Sequence, residues 1–491
     1  MQATQKSKSS SQNKSLLSYF NDMAYKTLIL LTTGFSPRRL HKLLSTRSLF
    51  QYPLVDLQSG LIIGSTISCA AHYASLVSIL YSQEPAKNKL ELMLKKRDFF
   101  ILILLFLLLS GLETFVTYHA LTRQAPGAND YYSRWYGARA LLVEGRNPYG
   151  LDVTEEIQPV IEIDPSEVGR GGFNYPLHVV FIFWPLVYLS YPLAQAIWMV
   201  TLQWFALGIV IAFFGWQKWK PTIAELVAVG LATLTFYIVV RSIFLGQFTL
   251  PVAFFLVACL WALGSKRDVM AGILLAATSI KPQMVLFTGI WLVIWAVGQR
   301  RWRFLIGLFG SGFAMLAGSM ALFPAWPLAF YEDIGRYARF AGGRNPLALL
   351  LQMIWPGYPQ GVFTAVSTLI ILAMLWAWWQ SWRTKDDTPD HGLFWAIIVS
   401  TLVTFQTGTT NQTLLLIPWF AWLTMAAQQR GKLPVFALFA ICSIALWALF
   451  LTTISGNEEN PVLFLPLPLL SVTMLLWQTW GGRPTAVNPT S

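Results

Sequence analysis

Apolar runs of about 17–25 residues recur along the chain and alternate with short polar turns. Runs of this length cross a bilayer as helices, so the pattern predicts an all-α polytopic membrane protein with about 10 to 13 transmembrane helices. The first strong run spans residues 99–118 and carries one charge, Glu113. A polar stretch of 55 residues, 120–174, follows it directly and predicts a long first loop.

Basic residues flank the apolar runs in a way that orients the whole chain. They cluster at Lys95, Lys96 and Arg97, at Lys218 and Lys220, at Lys266 and Arg267, at Arg300, Arg301 and Arg303, at Arg383 and Lys385, at Arg430 and Lys432, and at Arg483. The positive-inside rule assigns all of these clusters to the cytoplasm. The first loop then lies outside, together with the turns at 246–247, 324–347, 405–411 and 455–461.

Two of these clusters predict a break inside the membrane. Arg267 and Arg300 both belong inside, and the 32 residues between them would form one helix of roughly 48 Å. The hydrocarbon core is only about 30 Å thick, so two short helices that meet at Lys281 fit better. Pro282 supports this break, because it disfavours helical backbone at the preceding residue. Lys281 then lies below the outer surface, where a buried ammonium group needs an anionic partner.

Two segments are compatible with more than one topology. An odd number of crossings is required between the first loop and Lys218, yet 175–190 and 193–216 have the composition of two runs. Pro185 favours a broken or re-entrant piece in the first of them. Residues 57–81 are either one span or an interfacial helix. The chain is therefore divided into a partly disordered N-terminal extension (1–98), a transmembrane domain (99–480) and a short cytoplasmic tail (481–491).

Composition supports a membrane protein and narrows its chemistry. The chain is 55% hydrophobic, is 12% charged and has a formal net charge of +12, whereas a soluble domain carries roughly 25% charged residues. Cytoplasmic loops account for the positive charge, so nucleic acid is not an expected partner. The three distant cysteines indicate neither a disulfide framework nor a metal site, and nucleotide-binding motifs are absent. If the protein transfers a chemical group, the energy for the transfer is therefore expected to be carried by a lipid-linked donor. No cofactor is then required.

The first loop is the acidic part of this basic chain. It holds eight of the 23 acidic residues against five arginines. Asn129 and Asp130 open a predicted amphipathic helix that closes at Gly145 and lies along the membrane surface. Asp130 is either the N-cap of this helix or a base that takes a proton from an acceptor hydroxyl, and the two roles are compatible.

Lys281 is the second candidate for chemistry, since phosphate is the natural partner of an ammonium group at membrane depth. Weaker candidates lie near the predicted outer face: His119, Tyr132, Asn174, Tyr175, Gln247, Arg336, Arg339 and Arg344. His119 either assists Asp130 or is solvated. The three arginines either bind a phosphate or glycolipid headgroup or pair with the acidic loop. Glu155, Glu156 and Asp164 are either solvated charges or the source of a second carboxylate.

Several short motifs follow one another in a recognisable order. They are Asp130 with Tyr132, Tyr136 and Gly145-x-Asn147-Pro148-Tyr149, then Asn174-Tyr175-Pro176, then Gly246-Gln247, and then Ala271-Gly272-Ile273-Leu274 ahead of Ile280-Lys281-Pro282. In this order they resemble glycosyltransferase family 87, the polyprenol-phosphate-mannose-dependent mannosyltransferases of the GT-C fold. The resemblance covers roughly residues 99–480. Members commonly carry Ser-Pro and a His-containing motif near the late outer turn, where this chain has Gln-Thr-Gly-Thr-Thr-Asn-Gln at 406–412.

The resemblance implies a GT-C-type fold with Asp130 as the catalytic base. It also implies inverting transfer of a hexose from a polyprenyl-phosphate sugar to a lipid or glycan acceptor, with mannose as the expected sugar. The reaction would take place on the extracytoplasmic face of the plasma (inner) membrane, with membrane lipids as further partners. The departure at 406–412 leaves the sugar, the acceptor and the linkage open.

Two other functions compete with this interpretation. A transporter or flippase of lipid-linked sugars would show repeats of similar hydropathy, whereas here the long loop occurs once and the apolar runs vary in length. A ligase-like transferase of O-antigen type would carry its large outer loop late in the chain. Release of polyprenyl phosphate from a labelled donor separates an enzyme from a transporter.

Overall fold

The computed structural model describes residues 96–164, 166–167, 169–341, 345–385, 388–404, 408–454 and 459–480. Within these ranges the chain forms helices joined by turns and contains no strand, which confirms the all-α prediction. The predicted segment at 57–81, most of the N-terminal extension and the C-terminal tail lie outside the described residues. The domain boundaries at 98 and 480 stay predictions.

The N-terminal helices build the first loop and the wall behind it. They are α1 (Lys96–Thr117), α2 (Asn129–Leu142), α3 (Leu151–Ile157), α4 (Val180–Phe183) and α5 (Tyr191–Trp216). A π-helical turn at Tyr118–Thr122 extends α1, and 3-10 turns at Leu177–Val179 and Trp184–Tyr188 flank α4. Residues 177–188 thus form a short broken piece before a long span, as Pro185 predicted.

The middle helices carry the two breaks that shape the site. They are α6 (Ile223–Thr235), α7 (Tyr237–Leu245), α8 (Thr249–Gly264), α9 (Asp268–Ala277), α10 (Pro282–Gly298) and α11 (Trp302–Leu322). The chain bends by 59° between α6 and α7. After a 3-10 turn at Thr278–Ile280, Lys281 leaves helical geometry at φ −136° and ψ 72°. The predicted break at Lys281 is confirmed.

The C-terminal helices complete the bundle. They are α12 (Trp326–Ala341), α13 (Pro346–Ile354), α14 (Gln360–Arg383), α15 (Asp390–Val403), α16 (Leu416–Arg430), α17 (Lys432–Thr453) and α18 (Pro466–Trp480), with 3-10 turns at Thr409–Leu415 and Pro461–Phe464. Helix α12 buries Trp326 and Asp333 and exposes Leu328 and Tyr331. A helix with one buried polar face and exposed apolar side chains is typical of a membrane surface.

Among the described residues, five helices are long and apolar enough to cross a membrane: Ile103–Thr122, α5, α11, α14 and α17. The bent pair α6–α7 raises this number to six, and six further apolar helices are 10–17 residues long. The protein is therefore a multi-pass helical membrane protein. The predicted total of 10 to 13 spans stays a prediction, since it depends on the shorter helices.

Helices α9 and α11 approach each other backbone to backbone. A Cβ atom on Gly272 would lie 2.1 Å from the Phe304 carbonyl oxygen, and one on Gly307 would lie 2.3 Å from the Val269 carbonyl oxygen. Small residues at such contacts are the usual means of close helix packing in membranes. The contact fixes α9, and it thereby fixes the position of Lys281 shortly after its end.

Four basic residues occupy left-handed backbone positions directly after helices. Lys218, Lys266, Arg300 and Lys385 have φ values of 53°, 58°, 55° and 52°. They follow α5, α8, α10 and α14, where the left-handed cap position occurs and where positive charge complements the helix dipole. All four helices therefore end in clusters that the charge pattern assigns to the cytoplasm, and the orientation itself stays a prediction.

The orientation predicts the outcome of cysteine labelling in a background that lacks the three native cysteines. Glu155 in α3 and Ser265 after α8 are both exposed. An impermeant maleimide should label Glu155→Cys in intact cells and Ser265→Cys only after permeabilisation, because the predicted orientation places the two positions on opposite faces. Labelling of both from the same side would reject the orientation.

Candidate active site

Asp130, Gln247 and Lys281 lie on three separate elements and form one hydrogen-bonded chain. Gln247 Nε2 donates to Asp130 Oδ2 at 2.6 Å, and Lys281 Nζ donates to Gln247 Oε1 at 2.8 Å. An ammonium group has only donors, so Gln247 presents its oxygen to Lys281 and its nitrogen to Asp130. The structure therefore joins three residues that were separate candidates in the sequence.

Asp130 is the second residue of α2 and does not cap it. The N-cap is Ala128, in left-handed geometry at φ 55°, and no side chain accepts a capping hydrogen bond there. The N-cap interpretation of Asp130 is thus wrong. Its carboxylate lies in the first turn, where the helix dipole favours negative charge, and it is available to accept the hydrogen bond from Gln247.

Gly246 allows the Gln247 turn to approach α2. It ends α7 in left-handed geometry at φ 68°, and a Cβ atom there would lie only 2.4 Å from Tyr131 Cβ. Trp198 Nε1 donates to the Gly246 carbonyl at 2.9 Å and holds the turn against α5. Glycine meets both the backbone and the space requirement at this position.

Two cations lie over the aromatic ring of Tyr175, and one of them, Arg134, also contacts Asp130. The Arg134 guanidinium carbon lies 4.4 Å from the ring centroid and Lys281 Nζ lies 5.9 Å from it. Arg134 Nη1 donates to the Asp130 carbonyl at 2.9 Å and lies 3.8 Å from Asp130 Oδ1. Two positive charges against one negative charge leave this region suited to a further anion. Arg134 was not among the site residues predicted from the sequence, although its position four residues after Asp130 in a predicted helix was a usable signal.

The two ends of the hydrogen-bonded chain differ in their contact with water. The Asp130 side chain is 35% exposed, whereas Lys281 is only 5% exposed. The site therefore has a carboxylate at an end that is open to water and a cation at an end that is enclosed in protein. Electrostatic interactions with the enclosed cation are screened less by solvent.

The turn at Asn174 and Tyr175 is fixed from a distant helix. Asn174 is buried in left-handed geometry at φ 52°, and its backbone N–H donates to Asp333 Oδ2 at 2.8 Å. The Tyr149 hydroxyl donates to the Tyr175 carbonyl at 2.8 Å. Asn174 Oδ1 is buried without a hydrogen-bond partner among the described residues, which marks it as an acceptor still to be satisfied. Asp333 was not among the site residues predicted from the sequence.

The remaining aromatic candidates, His119 and Tyr132, are not part of the hydrogen-bonded chain. His119 is exposed, and its ring contacts Phe115 at 4.4 Å and Tyr118 at 5.0 Å. Tyr132 packs edge-on against Tyr191 at 4.7 Å, and burial raises the pKa of its hydroxyl. The roles predicted for His119 and Tyr132 stay predictions.

The three candidate arginines separate in the structure. Arg336 Nη2 donates to the Tyr149 carbonyl at 2.9 Å and pairs with Asp333 Oδ1 at 3.3 Å. Arg336 therefore does contact the first loop, but through a backbone carbonyl, while its ion pair is with its own helix. Arg339 also lies on α12, and Arg344 lies outside the described residues.

Two carboxylates of α3, Asp152 and Glu156, form an exposed ion-pair network with Arg146. Arg146 Nη2 donates to Glu156 Oε1 and to Asp152 Oδ2, each at 2.9 Å. The Tyr136 hydroxyl donates to Glu156 Oε2 at 2.5 Å. Arg146, helped by Tyr136, holds the pKa of Glu156 below its ordinary value. These contacts favour the interpretation of Glu156 as a solvated charge.

A second polar cluster holds the other end of α7. Glu459 accepts hydrogen bonds from the hydroxyls of Tyr237 and Thr409, and its Oε1 lies 3.4 Å from Arg241 Nε. The cluster connects α7 with the late outer turn and with the segment that precedes α18. Helix α7 is therefore anchored at its start by Glu459 and at its end by Gly246 and Gln247.

Comparison with known proteins gives one match. A family model described as glycosyltransferase family 87 matches residues 173–405. The match contains Gln247, Lys281 and Asp333, whereas Asp130 and residues 120–172 of the first loop precede it. No curated protein and no solved structure matches the chain.

The Gly246 turn predicts a selective loss of stability. Gly246→Ala should lower the thermal stability of the detergent-solubilised protein, because strained left-handed backbone costs about 1–3 kcal/mol and the new Cβ atom would overlap Tyr131. The control is Gly264→Ala at the end of α8, where a Cβ atom meets nothing within 4 Å. Equal melting temperatures for the two variants would contradict the prediction that the Gly246 turn requires glycine.

Proposed function

We propose that this chain transfers a hexose from a polyprenyl-phosphate sugar to a lipid or glycan acceptor. It belongs to glycosyltransferase family 87 by the match over residues 173–405 and is thus a membrane glycosyltransferase. Mannose is the proposed sugar, and inversion at its anomeric carbon is the proposed course. The proposed location is the extracytoplasmic face of the plasma membrane. The observation that carries the proposal is the hydrogen-bonded chain of Asp130, Gln247 and Lys281.

Asp130 is the proposed general base. The oxygen of the acceptor hydroxyl forms a bond to the anomeric carbon while its proton passes to the carboxylate. Asp130 Oδ2 already accepts a hydrogen bond from Gln247, so Oδ1 is the oxygen proposed to receive the proton. The partial exposure of Asp130 supports this role, since an acceptor can reach the carboxylate from the water side.

Arg134 and Lys281 are proposed to stabilise the leaving group. The bond between the anomeric carbon and the phosphate oxygen breaks on the face opposite the attacking hydroxyl. Its electron pair remains on the phosphate, which departs as polyprenyl phosphate. Charge that develops on this oxygen is stabilised by cations held in a water-poor site, and both cations lie around the Tyr175 ring.

Gln247 is proposed to hold the Asp130 carboxylate and the Lys281 ammonium group in a fixed relative position. Lys281 fixes the orientation of the Gln247 amide, so the Nε2 group points at Asp130. The carboxylate is then held in one position for the incoming hydroxyl, and such positioning is a large part of enzymatic rate acceleration. The sugar–phosphate bond of the donor supplies the driving force, so no cofactor is proposed.

Replacement of Asp130 by asparagine tests the base directly. Asp130→Asn should lower turnover by about 10²–10⁴, the usual contribution of a positioned general base, with donor binding retained. The asparagine oxygen can still accept from Gln247 Nε2, so the variant removes the charge and keeps the contact. Turnover is measured as release of polyprenyl phosphate from a labelled polyprenyl-phosphate mannose.

The matched control is Glu155→Gln, an exposed carboxylate of the same loop, which should keep near-normal turnover. Near-normal turnover in Asp130→Asn, combined with a large loss in Glu155→Gln, would move the base to α3. Near-normal turnover in both variants would reject a base in either place.

Replacement of Lys281 by methionine separates two roles of its ammonium group. If the group holds the donor phosphate, Lys281→Met should raise the apparent KM for donor about tenfold to hundredfold, the cost of a charge-assisted contact. The KM for acceptor should change little. If Lys281 acts only through Gln247, kcat should fall instead. The control is Lys266→Met, an exposed position after α8, and a Lys281 variant with unchanged kinetics would leave a structural role only.

A further inference from the structure

Asp333 is a fully buried carboxylate outside the hydrogen-bonded chain described above. Its Oδ2 accepts the backbone N–H of Asn174 at 2.8 Å, across 159 positions of sequence. Its Oδ1 pairs with Arg336 Nη2 at 3.3 Å. The carboxylate thus connects the surface helix α12 with the turn that ends the first loop.

The contacts of Asp333 close into a ring of five residues. Arg336 also donates to the Tyr149 carbonyl, and the Tyr149 hydroxyl donates to the Tyr175 carbonyl. Tyr175 is covalently joined to Asn174, whose N–H returns to Asp333. A closed ring restrains the turn from two sides, so neither Asn174 nor Tyr175 can shift without breaking a buried hydrogen bond.

Burial disfavours the charged form of the Asp333 carboxyl. Burial raises the pKa of the Asp333 carboxyl to about 6, against the opposing effects of the Asn174 N–H, Arg336 and Arg134. Because this folded-state pKa lies above the ordinary value, folding favours the protonated form. The associated stability is present at acidic pH and is lost as the pH rises through about 6. At neutral pH burial thus works against the charged carboxylate, so its contacts with Asn174 and Arg336 are better explained by the geometry they define than by stability.

The turn held by Asp333 carries the Tyr175 side chain, and both cations lie over its aromatic ring. Arg134 and Lys281 each lie over Tyr175, so a shift of this ring changes what both cations contact. We propose that Asp333 is a positioning residue, which sets the Asn174–Tyr175 turn and thereby the two cations at the site. The effect on turnover rests on the proposed function, whereas the restraint on the turn does not.

Hydrogen exchange and kinetics of three variants test this inference on the full-length protein in nanodiscs. Asp333→Ala removes both contacts. Asp333→Asn keeps an acceptor for the Asn174 N–H and loses only the charge. Glu332→Gln changes the exposed neighbouring carboxylate on the same helix and serves as the control.

In Asp333→Ala, amide exchange in residues 172–176 should become about tenfold to hundredfold faster, the effect of losing a charge-assisted hydrogen bond. Turnover per folded molecule of a labelled polyprenyl-phosphate mannose should fall about tenfold, with the fall in kcat and not in the KM for acceptor. Asp333→Asn should recover most of the exchange protection, and Glu332→Gln should match the unaltered protein. A merely structural role would lower the folded fraction and leave kcat per folded molecule unchanged.

Unchanged exchange at 172–176 in Asp333→Ala would overturn the inference, and so would faster exchange with unchanged kcat in an active enzyme. If Asp333→Ala does not fold, Arg336→Gln opens the same ring from the Tyr149 side and must show the same change in exchange. If the unaltered protein releases no polyprenyl phosphate, the proposed function fails, and the exchange result still decides whether Asp333 holds the turn.

Discussion

A buried ammonium group inside an apolar protein must be satisfied, and this requirement organises the rest of the structure. Lys281 lies at a helix break enclosed by protein and donates to Gln247, which in turn donates to Asp130. The three residues lie on three separate elements of the chain. The first loop, the α7–α8 turn and the α9–α10 break therefore have to meet at one place, and the close contact of α9 with α11 keeps the break there.

The parts of this arrangement that follow local rules could be predicted from the sequence. Pro282 acts on the residue before it, so the break at Lys281 was predictable. The start of α2 at Asn129 and the left-handed Gly145 near its end also follow from nearby residues. Apolar run length likewise predicted a multi-pass helical protein, because bilayer thickness sets the length of a span.

The parts that depend on distant contacts could not be predicted in this way. Asp130 has the local features of an N-cap, and its actual partner is Gln247, 117 positions away. Asp333 and Glu459 carry no local motif, and their importance appears only when α12 and the segment before α18 are placed against the rest of the bundle. Hydropathy reports burial of apolar runs, whereas these carboxylates are placed by tertiary packing.

The amide that separates Asp130 from Lys281 has a consequence for proton movement. A carboxamide donates and accepts hydrogen bonds but does not titrate near neutral pH, so a proton gained by Asp130 cannot pass along Gln247 to Lys281. Among the described residues, the water-exposed edge of the carboxylate offers the proton a direct outlet. If Asp130 is the base proposed above, each catalytic cycle delivers its proton to the water on the side of the first loop and not to the enclosed Lys281.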